Sequence, residues 1–556
     1  MTPRDDSTEP ASGTSGWLSD IERIGNRLPD PSTLFLLGTL LVMGLSQVAV
    51  TSGWSVEKQV VEDLRVEVRG PDGAPVLDPA THQPFMVAAL DPATGKPLRE
   101  RRRVAVTPVS LLDRDGFYWV IASLVDNFKN FPPLAIVLVG MLGIGLAERS
   151  GFLPALLRAS LARAPAWLLS PLVVFLGVNS SLAVDAGYVV LPPIAAALYL
   201  AAGRSPLAGI AAAFAGVAGG FGANLLITGL DPMLAGLSEA SAHLVDPSYR
   251  VAATANWWMM IASTFLLTAV GWFVTDAIVE PRLRREGGAA ASGGGEEAAN
   301  VLSAEDRRGL RAGLIALALV LAAILAAALV PGAPLQGDSG TAPRWVGAIV
   351  PLLFIALAVP GLAHGVAART VRTDRDVARL FAETMASMAP YIVMAFFAAQ
   401  FVACFGKSRL GEIFAIAGGD WLAHAALPRS ALLVAFIATV AFIDLVIASM
   451  SAKYAFLAPV FVPLFMQLGV SPELTQAAYR IGDSCINVVT PLNPYLVILL
   501  VLAQRYVPRA GLGTLVALML PYSIAFLVTW TLLLLAWVAL GWPLGPAGPL
   551  SYVLPG

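Results

Sequence analysis

The sequence predicts an all-α polytopic membrane protein with two inverted repeats, about nine transmembrane helices and two re-entrant hairpins. Three observations predict it. The 556 residues are 57% hydrophobic and only 13% charged, where a soluble domain carries roughly 25% charge. Several apolar stretches reach the ~20 residues that cross ~30 Å of hydrocarbon, most clearly 33–51, 257–279, 310–331, 344–363 and 513–540. A third signal is an internal duplication whose two copies fall in opposite predicted orientations.

In chain order, residues 1–32 read as a cytoplasmic head without a cleavable signal. Asp5, Asp6 and Glu9 sit among Ser, Thr, Gly and Pro, a disordered composition. Residues 17–29 then place Trp17, Leu18, Ile21, Ile24 and Leu28 on one face of an interfacial helix. The first span is 33–53. The insert 54–131 alternates at LRVEVRG (64–70) and carries the turn signals PDG and DPATGKP, which predicts a small β-rich cap. It returns through an aromatic interfacial helix, FYWVIASLVDNF (117–128). The first repeat, 132–279, holds spans at about 132–148, 205–230 and 257–279, with a hairpin at about 164–202. A linker, 280–309, is Gly- and Ala-rich and flexible. Two spans, 310–331 and 344–364, fill 310–364. The second repeat, 390–512, holds spans at 390–406 and 472–504 and a hairpin at about 431–469. The last span and tail occupy 513–556.

Orientation follows from Lys and Arg in short loops. Arg149, Arg158, Arg163, Arg204, Arg282, Arg284, Arg285, Arg369, Arg372, Arg375, Arg505 and Arg509 fall on one side. The opposite loops, 231–256 and 332–343, carry Asp231, Glu239, Asp246 and Asp338. The N-terminus is therefore expected in the cytoplasm and the C-terminus outside, in a bacterial-type inner membrane. Arg99 and Arg101 to Arg103 lie in the long outer insert, and long translocated segments are exempt from the rule.

The duplication appears at an offset of 266 residues. Tyr188 aligns with Tyr454, Leu191 with Leu457, Pro193 with Pro459 and Leu198 with Leu464. Gly203-Arg-Ser-Pro206 aligns with Gly469-Val-Ser-Pro472, and Gly216 with Gly482. The first Gly-x-Ser-Pro block lies on the cytoplasmic side and the second outside, so the unit is inverted. Inverted repeats with a midplane site between them are the pattern of secondary transporters. Each repeat has two apolar arms too short to span, joined by a polar knot: NSSLAVDAG (179–187) and DLVIASMSAK (444–453). Each following helix is interrupted, at GGFGAN (219–224) and NVVTPLNP (487–494). Irregular backbone survives at membrane depth only where protein buries it or a wet cavity lines it.

Five ionisable residues fall at these anomalies: Asp185, Asp444, Lys453, Arg480 and Asp483. A charge at the bilayer centre costs at least ~2.5–3.5 kcal/mol, so each needs a partner or a function. One reading is an ion network that locks hairpin to helix. The other is a site. In that reading the Arg480 fork suits a substrate carboxylate. Asp483 and Asp444 would be hard-oxygen ligands for sodium, completed near Ser449 and Asn487. The pseudo-symmetric tip Asn179, Ser180 and Ser181 with Asn224 would face the substrate, where short helix N-termini favour an anionic group. An enzyme is disfavoured. His82, His243, His364 and His424 are scattered, and no HExxH, G-x-S-x-G or P-loop appears. A channel does not need two opposed hairpins closing on one site. Nucleic acid is disfavoured because no basic patch with interleaved aromatics appears. Cys404 and Cys485 both sit in apolar segments and read as small buried hydrophobes.

The segments IERIGNRLPDPSTLFL (21–36), SSLAVDAGYVVLPP (180–193), SAKYAFLAPVFVPLF (451–465) and QAAYRIGDSCINVVTPLNPY (476–495) resemble the p-aminobenzoyl-glutamate transporter (AbgT) family. The resemblance covers nearly the whole chain. It implies a homodimer with nine spans and two hairpins, a sodium site, no other cofactor, and transport of p-aminobenzoyl-glutamate. It also implies efflux of sulfonamide antimetabolites, so the expected substrate is small and anionic or an aromatic amine. The family's important positions fall on Asp185, Pro472, Arg480 and Asp483. Two positions depart: the family usually has Trp where Tyr454 stands and Asn where Asp444 stands. Tyr454 keeps an aromatic face for substrate. Asp444 adds a negative charge beside the expected cation site. The broader superfamily contains sodium-coupled carboxylate transporters, which makes a dicarboxylate-type substrate the alternative.

Overall fold

The computed structural model describes residues 31–63, 65–68, 75–76, 84–88, 99–161, 165–183, 186–285, 303–337, 343–424, 427–445, 447, 449–490, 492–493, 495–508 and 510–553. The expected head and interfacial helix (17–29), most of the linker and Asp185 lie outside these residues.

Among the described residues, seven helices are long and apolar enough to cross a membrane: Pro31–Thr51, Pro132–Arg149, Trp257–Arg285, Ala304–Leu329, Ile349–Ala367, Ala389–Lys407 and Leu512–Leu540. The two remaining expected spans, 205–230 and 472–504, are each broken. The first runs as Pro206–Phe214, a π turn Ala215–Gly219, irregular backbone, and then Leu230–Ala242. The second runs as Pro472–Asn487, a break, and Tyr495–Gln504. The breaks fall where Gly, Pro and Asn free backbone groups. One expectation is corrected here. Residues 231–242 are not outer loop but a buried helix, with Asp231 in its first turn. The run from Leu225 to Leu237 is apolar enough to bury, and the sequence count closed the span too early.

Both hairpins form. The first comprises Leu169–Asn179, a short 3-10 turn and Ala186–Ala201. The second comprises Arg429–Asp444 and Met450–Gln467. Helices Phe152–Leu161, Asp374–Ser387 and Leu410–His424 complete the bundle. In the insert, β1 (Val56–Asp63) pairs antiparallel with β4 (Arg99–Val106), and β2 (Arg65–Glu67) with β3 (Met86–Ala88), as the alternation predicts.

The duplicated Gly-x-Ser-Pro block has one local job in both copies. Gly203 and Gly469 hold left-handed backbone, φ 69° and 75°, which glycine adopts without a Cβ penalty. Each closes its hairpin with the same pair of bonds. Arg204 N–H donates to Tyr199 O and Gly203 N–H to Leu200 O; Val470 N–H donates to Phe465 O and Gly469 N–H to Met466 O. Such a left-handed glycine is a usual helix stop. The Pro then opens the next helix, where its missing N–H is not needed, and the Ser471 hydroxyl accepts from Leu474 N–H.

The matched glycines Gly216 and Gly482 share a second job. A Cβ at Gly216 would lie 2.7 Å from Val174 O, and one at Gly482 2.6 Å from Ile437 O. Each broken helix therefore lies backbone to backbone on the first arm of its own hairpin. The two broken helices run antiparallel to one another. Gly222 meets Ser484, Asp231 bonds Arg480, and Tyr249 bonds Glu473, so the first repeat ascends as the second descends. That is the inverted relation the sequence predicts. Likewise Trp257–Arg285 and Leu512–Leu540 are antiparallel: Met259 N–H donates to Leu544 O at one end, and Arg282 reaches Ala517 O at the other.

Candidate functional site

The two breaks and the tip of the second hairpin border an open cavity of about 420 Å³. Phe221 and Leu230 bound it from the first break, Asn487, Leu492, Asn493 and Tyr495 from the second, and Ser449, Met450 and Ser451 from the tip. Tyr188, on the first hairpin, closes the wall. A second cavity of about 430 Å³ lies on the other side of Ser449 and Ser451, towards Pro31, Ser387 and Pro390. The tip of the second hairpin thus separates two spaces.

Two charged clusters lie behind the cavity. Lys453 Nζ donates to Asp444 Oδ1 and, at 2.8 Å, contacts Asp483 Oδ1. All three side chains are fully buried. The Tyr479 hydroxyl bonds Met450 O (2.6 Å) and Asp483 Oδ1 (3.1 Å). The second cluster joins the repeats: Arg480 Nη2 donates to Asp231 Oδ1 at 2.6 Å, and Nη1 donates to Gly222 O at 3.3 Å. Asp231 Oδ2 is occupied by the Thr228 backbone N–H and hydroxyl. Arg480 Nε, Asp444 Oδ2 and Asp483 Oδ2 are buried with no hydrogen-bond partner.

The predicted residues divide among these places. Asp444 and Asp483 come together, with Lys453 between them. Ser449 and Asn487 line the cavity; the Ser449 hydroxyl contacts Ser451 and Ala452 N–H, and Asn487 O accepts from Asn493. Ser181 donates to Asn224 Oδ1, and Asn224 Nδ2 has no partner. Asn179 holds Phe175 O and Leu225 N–H, and Ser180 bonds Gly177 O. Tyr454 is fully buried, with its hydroxyl on Ser238 at 2.6 Å and its ring against Tyr479 at 4.4 Å. Pro472 opens its helix, fifteen residues and so about 22 Å along the axis from the break. Arg480 and Asp483 do not share a partner. Sequence reasoning missed Asp231 as a site residue, although the cost of a charge in an apolar run applies to it as to the other five ionisable residues. It also missed Tyr188, Phe221 and Tyr495, which carry no charge to flag them.

Asp444 and Asp483 each keep one oxygen without a hydrogen-bond partner beside Lys453, and carboxylate oxygens are the donors a small hard cation takes.

Residues 16–552 match the AbgT putative transporter family. The chain is 36% identical over 545 residues to the p-aminobenzoyl-glutamate transport protein of Escherichia coli (strain K12), covering 97% of this chain and 98% of that one. Among solved structures, it is similar to the YdaH transporter of Alcanivorax borkumensis (TM-score 0.80, 41% identity, 93% of this chain and 100% of that one). It is also similar to MtrF of Neisseria gonorrhoeae, described as illuminating a class of antimetabolite efflux pumps (TM-score 0.82, 37% identity, 97% and 99%).

Proposed function

The chain belongs to the AbgT putative transporter family, and from that premise we propose that it is an ion-coupled secondary transporter of p-aminobenzoyl-glutamate-like folate catabolites that also exports sulfonamide antimetabolites. It is a carrier and not an enzyme. The observation that carries this reading is the cavity of about 420 Å³ at the meeting of the two breaks. Its volume is within the range of small-molecule sites, ~300–1,000 Å³, and residues of both repeats wall it, as alternating access requires. Relatives along the whole chain are named for an aminobenzoyl substrate and for antimetabolite efflux.

In this reading the protein lies in a bacterial inner membrane as a homodimer, N-terminus inside and C-terminus outside. Arg480 and Asp231 join the two broken helices behind the cavity. A substrate carboxylate would reach Arg480 by displacing Asp231, since Arg480 is only 3% exposed. Asp444 and Asp483 would hold sodium through the carboxylate oxygens that have no hydrogen-bond partner, and its positive charge would offset theirs.

Flux in proteoliposomes tests the proposal. Labelled p-aminobenzoyl-glutamate should move saturably and respond to an imposed sodium or proton gradient, while an aliphatic dicarboxylate should compete weakly. Equal transport of aliphatic dicarboxylates would favour the carboxylate alternative. Sodium chloride should also raise the thermal midpoint relative to choline chloride, and Asp444→Asn should shrink that shift.

A further inference from the structure

The Tyr188 and Tyr495 rings are stacked, with centroids 4.0 Å apart and planes 5° from parallel. They come from opposite repeats: Tyr188 from the second arm of the first hairpin, Tyr495 from the first residue after the second break. Both line the cavity, and the Phe221 ring adds a third aromatic 6.5 Å from Tyr188. Tyr495 is held in place from behind. Asn493 Oδ1 accepts its backbone N–H at 3.1 Å, and Asn493 Nδ2 donates to Asn487 O at 2.9 Å. The other close tyrosine pair, Tyr454 with Tyr479, is fully buried, with both hydroxyls on protein partners. Polar groups complete the cavity wall at Ser449, Ser451 and Asn487.

An aromatic wall with polar groups beside it recognises a flat ring that carries polar substituents. Offset stacking gains from the ring quadrupoles and from contact area that an aliphatic chain cannot match. We propose that Tyr188 and Tyr495 are the aryl-recognition element of this transporter. The substrate's ring stacks on Tyr495, which Tyr188 backs ring to ring, its polar ends reach Ser449, Ser451 and Asn487, and the class selected is N-aroyl amino acids over aliphatic carboxylates of the same charge. This rests on the reading of the cavity as the substrate site. Because the two rings belong to opposite repeats, a ring bound to them also ties the first hairpin to the second broken helix.

The test uses the full-length transporter in proteoliposomes, with labelled p-aminobenzoyl-glutamate as substrate and N-acetylglutamate as competitor. The competitor keeps the glutamate and lacks the ring. Tyr188→Leu and Tyr495→Leu should each raise KM for the aryl substrate about tenfold, while the inhibition constant of N-acetylglutamate moves less than about twofold. Tyr188→Phe and Tyr495→Phe keep the ring and should recover most of the lost affinity. Unchanged KM in both Leu variants overturns the inference. So does equal weakening of both ligands, which marks a packing role, and so does a Phe variant as impaired as Leu. Should the wild type fail to carry p-aminobenzoyl-glutamate at all, the proposed function fails first and the aryl element with it.

Discussion

Arg480 and Asp483 are three residues apart, and both are buried at the centre of the molecule. A step of three residues turns ~300°, leaving the two side chains about 60° apart on the helix. That is enough for Arg480 to turn towards Asp231 of the other repeat while Asp483 turns towards Lys453. The spacing marked both residues but could not say that they serve different clusters. The pairings make separable forecasts. Asp231→Leu strands a buried guanidinium and should cost about 3–5 kcal/mol, Arg480→Leu strands a buried carboxylate, and the double change Asp231→Leu with Arg480→Leu should recover much of the loss. Thermal midpoints of the four proteins, read as a cycle, would check this; additive losses would mean that the two side chains do not act as a pair. In the other cluster, Lys453→Met leaves two buried carboxylates facing each other and should destabilise strongly. Asp444→Asn keeps an oxygen facing Lys453 while Asp483 still pairs with it, and should leave the midpoint unchanged or higher.

At the scale of elements, the duplicated motif was legible because its residues have local jobs: a left-handed glycine and a proline at the first helical position in both copies, and in the second copy a serine that caps its helix. The fastening of the second hairpin's base was not legible, because most of its acceptors are backbone carbonyls of the distant tail. The tail after Leu540 crosses the hairpin base as a strap. Arg429 donates to Leu550 O, the Ser471 hydroxyl to Pro549 O, and Tyr552 N–H to Gly469 O. The Tyr552 hydroxyl bonds Asp246, and the Thr254 hydroxyl bonds Pro546 O. Ser248 also holds the Asp246 carboxylate with its hydroxyl and N–H. Partial burial alone would raise the Asp246 carboxyl, but these bonds outweigh it and hold the group below the usual carboxylate range. The first hairpin is fastened differently, by Arg204 to Asp276 and Glu280. A Cβ at Gly548 would lie 1.9 Å from Ala255 O. Gly548→Val should therefore lift the strap, speeding hydrogen exchange at 550–553 and at Ser471, whose N–H donates to Leu550 O, while exchange near Arg204 stays unchanged. Exchange unaltered at Ser471 and Tyr552 would show that the tail does not fasten the hairpin.

Across the whole molecule, the two broken helices run antiparallel through the bonds of Gly222 with Ser484 and of Asp231 with Arg480, and each packs glycine against backbone on its own hairpin at Gly216 and Gly482. Composition and the 266-residue offset were enough to foresee the architecture, because apolar length and turn chemistry are local properties. The cavity walls were harder to foresee. They depend on which uncharged side chains two distant breaks bring together, as with Tyr188 and Tyr495. The architecture makes one forecast about sidedness. Ala202 and Leu427 are exposed residues at the bases of the first and second hairpins. If the hairpins enter from opposite faces, Cys substitutions at these positions must react with a membrane-impermeant maleimide on opposite sides. Lys and Arg placement puts Ala202 inside and Leu427 outside. In a background lacking Cys404 and Cys485, Leu427→Cys should label in intact cells and Ala202→Cys only after permeabilisation. Trp542→Cys serves as a control, since the strap ties the tail to the base of the second hairpin and Trp542 is itself half exposed; it should follow Leu427. Labelling of both hairpin bases from one face would contradict the inverted arrangement, and reversed labelling would keep the inversion but turn the protein over in the membrane.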